Sequence, residues 1–115
     1  MLIEVLKSKI HNATVVETFL DYEGSIGIDE EIMEKSNLVE FEKVQVWNIN
    51  NGERFETYVI KEPRGSRRIT INGASARLVH KGDKVIIASF CLIEKGENFT
   101  PTILILDEKN NPKVK

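Results

Sequence analysis

The chain is poor in the residues that staple, cage or anchor a small protein. Its 115 residues include one cysteine, Cys91, and two histidines, His11 and His80. A single cysteine excludes an intramolecular disulfide framework, and so few soft donors make a His/Cys metal cage improbable. The three prolines and seven glycines are scattered, so no linker, low-complexity tract or internal repeat divides the chain. The longest apolar run, residues 85–93, is about half of what a membrane span needs. The first residues, MLIEVLKSKIHN, lack a basic leader followed by an apolar stretch and a small-residue cleavage site. Neither sign of charge dominates: 16 Lys+Arg stand against 18 Asp+Glu, a formal net charge of -2, which argues against a general nucleic-acid binder. These absences predict one cytosolic domain in a reducing compartment, with no membrane and no nucleic-acid partner.

Cofactor signatures are missing as well. No G-x-G-x-x-G follows a strand, no G-x-x-x-x-G-K-[ST] occurs, no H-E-x-x-H lies on a helix, and nothing resembles a nucleophile elbow. Demanding chemistry would need an electrophile made from the chain's own residues.

What is present reads mostly as β. Residues 44–49 alternate with period two, Asn50-Asn51-Gly52 tolerates positive φ, and residues 54–60 alternate again, which predicts a hairpin with a short Asn-Gly loop. Pro63 to Arg67 reads as a second turn leading into the β-branched stretch Ile69 to Ile71. Val85 to Ile93 reads as a strand buried on both faces or nearly so, with Cys91 as an inert buried thiol, and Thr102 to Leu106 as another strand. Two short helices are expected. One spans Asp29 to Ser36 with Asp29 as N-cap; the other starts near Asn72, with an asparagine cap, and runs through Ala76 to Val79. Many short strands with turns every ten residues or so suggest a closed barrel. Residues 1–107 form the expected single domain, and residues 108–115 a frayed polar tail.

The segment Asp21 to Gly27 carries the chemical interest. Gly24 lacks a Cβ, so its backbone can take strained or positive-φ geometry and its carbonyl is open to approach. The Ser25 hydroxyl follows at once. Attack there would convert the peptide to an ester, elimination would cut the chain to leave a dehydroalanine, and hydrolysis would give an N-terminal pyruvoyl group. Spacing alone fits a plain turn better.

Several separate motifs change that balance. Tyr22-Glu-Gly-Ser25, Trp47-Asn48, Asn51-Gly52, Arg54-Phe55, Thr57-Tyr58, Arg64-Gly-Ser-Arg67, Asn72-Gly-Ala74 and Gly82-Asp-Lys-Val-Ile-Ile-Ala-Ser-Phe90 together resemble the aspartate 1-decarboxylase family, in order and with matching spacing over residues 1–107. The resemblance implies a small double-psi β-barrel with short helices, assembled as a homotetramer and self-cleaved between Gly24 and Ser25. It implies decarboxylation of L-aspartate to β-alanine for pantothenate synthesis. The cofactor would be a pyruvoyl group derived from Ser25, which forms a Schiff base with substrate, with no metal and no pyridoxal phosphate.

The same resemblance distributes roles. Tyr58 becomes the proton donor to the product carbon, and Thr57 a substrate contact and helper in self-cleavage. The backbone of Gly73, Ala74 and Ser75 contacts substrate, although a third alanine is more usual where this chain has Ser75. Arg54, with its fork of donors, and Lys9 become partners for substrate carboxylate. Asn72 orients the site, and Trp47 packs near it. His11 is a weaker candidate at the end of the first strand. Strand alternation alone puts Arg54, Glu56 and Tyr58 on one face and Phe55, Thr57 and Val59 on the other, so Thr57 and Tyr58 share a pocket only if the strand twists strongly or the pocket lies between subunits. Lys61, Arg64, Arg67 and Arg68 flank a turn and are diluted by Glu62. The rival readings are a non-catalytic barrel that binds a small anion through residues 72–76 and Arg54, and, ranking last, a nucleic-acid-binding barrel.

Overall fold

A computed structural model describes residues 1–113. The alternating residues on either side of Asn50-Asn51-Gly52 form the expected hairpin. Strands β4 (Lys43–Asn48) and β5 (Arg54–Glu62) pair antiparallel, with Val46 opposite Phe55 and Trp47 opposite Arg54. Gly52 turns the chain at φ +78°, a region glycine enters without a Cβ clash. The Oδ1 atoms of Asn48 and Asn51 accept the N–H groups of Asn50 and Glu53, both at 2.9 Å.

Strand β5 changes partner half-way along. Residues 54–58 pair with β4, whereas Val59 to Glu62 pair in parallel with β3 (Ser25–Asp29). On its other edge β3 pairs antiparallel with β6 (Ile69–Asn72), which pairs in parallel with β2 (Glu17–Phe19). Beyond β4 come β7 (Lys84–Glu94), β1 (Leu2–Thr14) and β8 (Thr102–Ile105), giving the order β2-β6-β3-β5-β4-β7-β1-β8. The sheet curls far enough for its two ends to be stitched together. The Val16 N–H donates to the Ile69 carbonyl at 2.9 Å, and Val15 exchanges bonds with the Gly82–Asp83 turn. The result is a small, mainly β, barrel-like fold.

Its core is β-branched. Ile26, Ile28, Val59, Ile69, Ile71 and Ile87 are fully buried, and each such side chain contributes about 1.5–3 kcal/mol relative to exposure. Every residue of β3 is buried: Ile26 and Ile28 face the apolar interior, so Ser25 and Gly27 face the other way. The strand that carries Ser25 is therefore held on both sides.

Three expectations about elements are corrected. Strand β7 is buried on both faces only through Ser89. Beyond it Phe90 and Leu92 are exposed and Cys91 is half-buried, because residues 90–94 pair with residues 2–6 of β1 in a two-stranded ribbon that no third strand flanks among the described residues. The second helix is a short 3-10 turn over Gly73–Arg77; Gly73 at φ +80° starts it and the Leu78 N–H closes it on the Ser75 carbonyl. The polar end is not frayed over its described part. Asn110 is 1 % exposed, donates to the carbonyls of Thr14 and Arg67 and accepts the Thr14 N–H, so its amide substitutes for a strand edge. Leu106 bridges to Pro112. Residues 114 and 115 of that expected tail lie outside the described residues.

The first helix, α1 (Glu30–Lys35), forms where expected, with Asp29 accepting the Glu31 N–H at 2.8 Å. Asp29 does more than cap it. Its buried carboxylate also accepts the N–H groups of Gly65 and Arg67 and the Arg67 guanidinium. Burial pulls its pKa upward, but the Gly65, Arg67 and Glu31 N–H donors and the Arg67 side chain outweigh that and hold it below its ordinary value. Such a carboxylate stabilises the fold above the unfolded pKa of about 3.9, and the contribution is lost as pH falls through the depressed folded value. Asp29→Ala is expected to cost roughly 2–4 kcal/mol at neutral pH. The gap to wild type, measured by denaturant unfolding, should shrink below about pH 4.

Candidate active site

Strand β3 opens on Ser25, directly opposite Asn72 of β6. Partners across an antiparallel ladder share a face, and here the Asn72 Nδ2 donates to the Ser25 Oγ at 3.0 Å. The expected asparagine cap is absent for this reason: Asn72 makes no side-chain bond to the 3-10 turn that follows it. The Ser25 hydroxyl in turn donates to the Glu23 carbonyl at 3.4 Å and is 3 % exposed. A buried alcohol with one lone pair fixed by an amide N–H has a defined orientation.

The demand for glycine falls on Gly73 rather than on Gly24. Gly24 is not in the positive-φ region, and a Cβ built on it meets nothing within 4 Å. Gly73 has φ +80°, and a Cβ there would lie 2.6 Å from the Gly24 Cα and 2.7 Å from its nitrogen. The turn after β6 is pressed against the peptide that precedes Ser25. Gly24, Ser25, Asn72 and Gly73 thus form one packed unit.

A cavity of about 390 Å³ opens beside it, lined by Asp21, Tyr22, Glu23, Ser25, Tyr58 and Ile60. Tyr58 lines it from β5, one residue before the ladder with β3 begins. A second hollow of about 300 Å³ adjoins through Tyr22 and Ile60 and is lined also by Phe19, Glu62, Arg68 and Asn72. Thr57 does not line the Ser25 cavity; with Tyr58, Lys43 and Glu56 it lines a separate groove. The Ala74 side is exposed and Ser75 half-buried.

Arg54 and Lys9 are not brought to Ser25 within one chain. The Arg54 guanidinium lies 4.3 Å from the centre of the Trp47 ring, near the start of β5, where cation–π attraction holds it. Lys9 pairs with Ala88 and Ile103, on a strand four places from β3 in the sheet order. His11 and Trp47 keep buried ring nitrogens without a hydrogen-bond partner. The four cations about the 63–68 turn face carboxylates: Lys61 meets Glu30, Arg64 meets Glu34, Arg67 meets Asp29 and Glu31, and Arg68 meets Glu62. No group of three or more metal-ligating side chains occurs among the described residues.

An aspartate decarboxylase family model matches residues 1–113. The chain belongs to the aspartate decarboxylase family. Among curated relatives, the aspartate 1-decarboxylase of Caldicellulosiruptor saccharolyticus is 62% identical over 96% of this chain and 88% of its own length. That of Fervidobacterium nodosum is 57% identical over 95% and 94%, and that of Clostridium botulinum (strain Loch Maree) 56% identical over 96% and 89%.

Within this aspartate decarboxylase family chain, sequence reasoning left Tyr22, Asp21, Glu23 and Ile60 without a role, yet all four line the Ser25 cavity. Tyr22, which packs edge-on against Phe19 at 5.6 Å, stood within the Tyr22-Glu-Gly-Ser25 motif, so its proximity to Ser25 was the available signal. The close contact gives a direct test. Gly73→Ala must strain the positive φ and displace Gly24, and is expected to lower stability by about 1–3 kcal/mol, read by thermal unfolding. Gly24→Ala, with open space around it, should cost less than half as much.

Proposed function

We propose that the chain decarboxylates L-aspartate to β-alanine and carbon dioxide for pantothenate synthesis, using a pyruvoyl group made from Ser25. The observation that carries this reading is the buried Ser25–Asn72 pair, packed beside Gly24 at a cavity that Tyr58 also lines. Family membership supports it, since the relatives are named aspartate 1-decarboxylase.

The chain's own residues account for making the group. The Ser25 Oγ attacks the Gly24 carbonyl carbon, and the peptide nitrogen leaves as the acyl group moves to oxygen. Loss of the Ser25 α-proton then expels the Gly24 carboxylate and cuts the chain, leaving a dehydroalanine at position 25. Water converts its enamine nitrogen to ammonia and leaves the ketone. Asn72, bonded to Oγ, holds the hydroxyl in register; Gly73, pressed on Gly24, holds the acyl carbon. The site suits such a group because Ser25 and Asn72 are buried beside a cavity that opens to solvent past the exposed Asp21, Tyr22 and Glu23. A pyruvoyl group there would supply a ketone for the substrate amine and an adjoining carbonyl as electron sink. Tyr58 returns a proton to the product carbon, the Gly73–Ser75 main chain contacts substrate, and Thr57, which lines a separate groove in its own chain, does so from a second copy.

The remaining partners come from a second copy. Arg54 and Lys9 lie outside the Ser25 cavity of their own chain, and the ribbon bearing Leu2, Ile3, Phe90 and Leu92 leaves large apolar side chains exposed. A homotetramer covers that ribbon and places Arg54 and Lys9 of one copy at the cavity of another, where they hold substrate carboxylate. A cytosolic setting accompanies this reading.

Intact mass should find fragments 1–24 and 25–115, the latter without a free amino terminus, and Ser25→Ala should remain whole and release no carbon dioxide from L-aspartate. A wild-type chain that stays whole would return the reading to a small-anion-binding barrel. Arg54→Ala is expected to cleave normally but to raise KM for aspartate about 10- to 100-fold, as loss of a charge-assisted bond worth about 1.5–3 kcal/mol requires.

A further inference from the structure

The polar face of β3 holds a bridge that the chemistry above does not use. Gly27 lies between Ile60 of β5 and Thr70 of β6 in the ladder. Above it the Thr70 Oγ1 donates to the Glu62 Oε2 at 2.9 Å, and the Arg68 Nε donates to the other carboxylate oxygen at 3.3 Å. The Glu62 side chain is 18% exposed, and Thr70 is fully buried. A Cβ built on Gly27 would fall 2.6 Å from the Glu62 Oε2 and within contact of the Thr70 hydroxyl. The space that glycine leaves is occupied by the carboxylate.

The geometry points to Glu62 as a positioning residue for Ser25, acting as a brace thrown across β3. Glu62 stands on the strand that carries Tyr58, and Thr70 on the strand that carries Asn72, two residues away. Between them runs the strand that begins with Ser25. A bond from β5 to β6 over Gly27 fixes how far apart the Tyr58 and Asn72 strands lie, and so where the Ser25 hydroxyl sits relative to both. Hydrogen bonds within each ladder fix neighbours only; this one ties the two outer strands to each other. Because the acceptor is charged and largely buried, losing its donor leaves an incompletely satisfied carboxylate at the second hollow, which Glu62 and Asn72 line and which adjoins the Ser25 cavity through Tyr22 and Ile60. Arg68 limits the cost of the buried charge by occupying the second oxygen.

This inference rests on the proposed processing at Ser25, and its test separates the two. Freshly made chain is followed by mass for the rate at which fragments 1–24 and 25–115 appear, for wild type, Thr70→Val and Thr70→Ser, at a temperature where all are folded. Thr70→Val removes the hydroxyl while keeping shape; Thr70→Ser keeps the donor. The brace predicts that Thr70→Val cleaves roughly three- to tenfold more slowly, the kinetic equivalent of a net hydrogen bond, and that Thr70→Ser stays within about twofold of wild type. After processing is complete, Thr70→Val should lower kcat and leave KM unchanged. Cleavage by Thr70→Val less than threefold slower than wild type, or Thr70→Ser as slow as Thr70→Val, overturns the brace. Should Thr70→Val not fold, Glu62→Ala is read on the same scale. Wild type that never cleaves overturns both the brace and the Ser25 reading, whereas equal rates in wild type and Thr70→Val remove the brace alone.

Discussion

Strand β5 joins the two halves of the sheet: residues 54–58 form a ladder with β4 and Val59 to Glu62 form one with β3, and the molecule is organised around that junction. On one side of the junction the chain is the hairpin with β4; on the other it flanks β3, whose far edge β6 covers. Beside that junction lies a gap, the cavity lined by Ser25 and Tyr58. Tyr58 stands at that gap and Ser25 at the start of the neighbouring strand, so the cavity they share follows from strand pairing. The exposed turn of Asp21, Tyr22 and Glu23 that leads into β3 forms its remaining wall. The buried isoleucines of β3 and β6 on the opposite face keep the arrangement from relaxing.

Polar contacts then convert a gap into a site. A serine hydroxyl is an ordinary nucleophile in water, and nothing about Ser25 alone distinguishes it. Asn72 donates to it, Gly73 presses on the exposed residue before it, and burial of Ser25 keeps water from competing for the hydroxyl. The residues beyond the cavity follow the same logic at lower cost. Asp29, at the far end of β3, gathers three backbone N–H groups and a guanidinium, anchoring that strand by its other end. Asn110 ties the polar C-terminal stretch to the same region through Thr14 and Arg67.

What could be read from the residues alone was whatever local pattern encodes. The β4–β5 hairpin follows from period two and an Asn-Gly turn, and α1 from Asp29 and the acidic residues behind it. The parallel pairing of β3 with β5 joins Ile26 to Val59, more than thirty residues apart, and no periodicity records it; the barrel topology and the cavity were legible only through family resemblance. Misreadings had physical causes. Asn72 looks like a cap because an asparagine before a turn usually is one, yet the ladder sets it opposite Ser25. The polarity of residues 108–113 is equally compatible with solvation and with buried, fully bonded amides, and only tertiary partners decide between them. The apolar end of β7 was read as core because hydrophobicity does not reveal whether a third strand is there to cover it. Ser25 and Tyr58 meet within one chain, whereas Arg54, at the other end of the β4 ladder, and Lys9, four strands from β3, do not.

The central claim is that the chain carries its own electrophile at position 25. It is tested most directly by treating purified protein with L-aspartate and borohydride and weighing the larger fragment. The account predicts a covalent adduct on the fragment beginning at residue 25, formed only with substrate present and absent from Ser25→Ala. A fragment of unchanged mass, in protein that has been cut between Gly24 and Ser25, would contradict it.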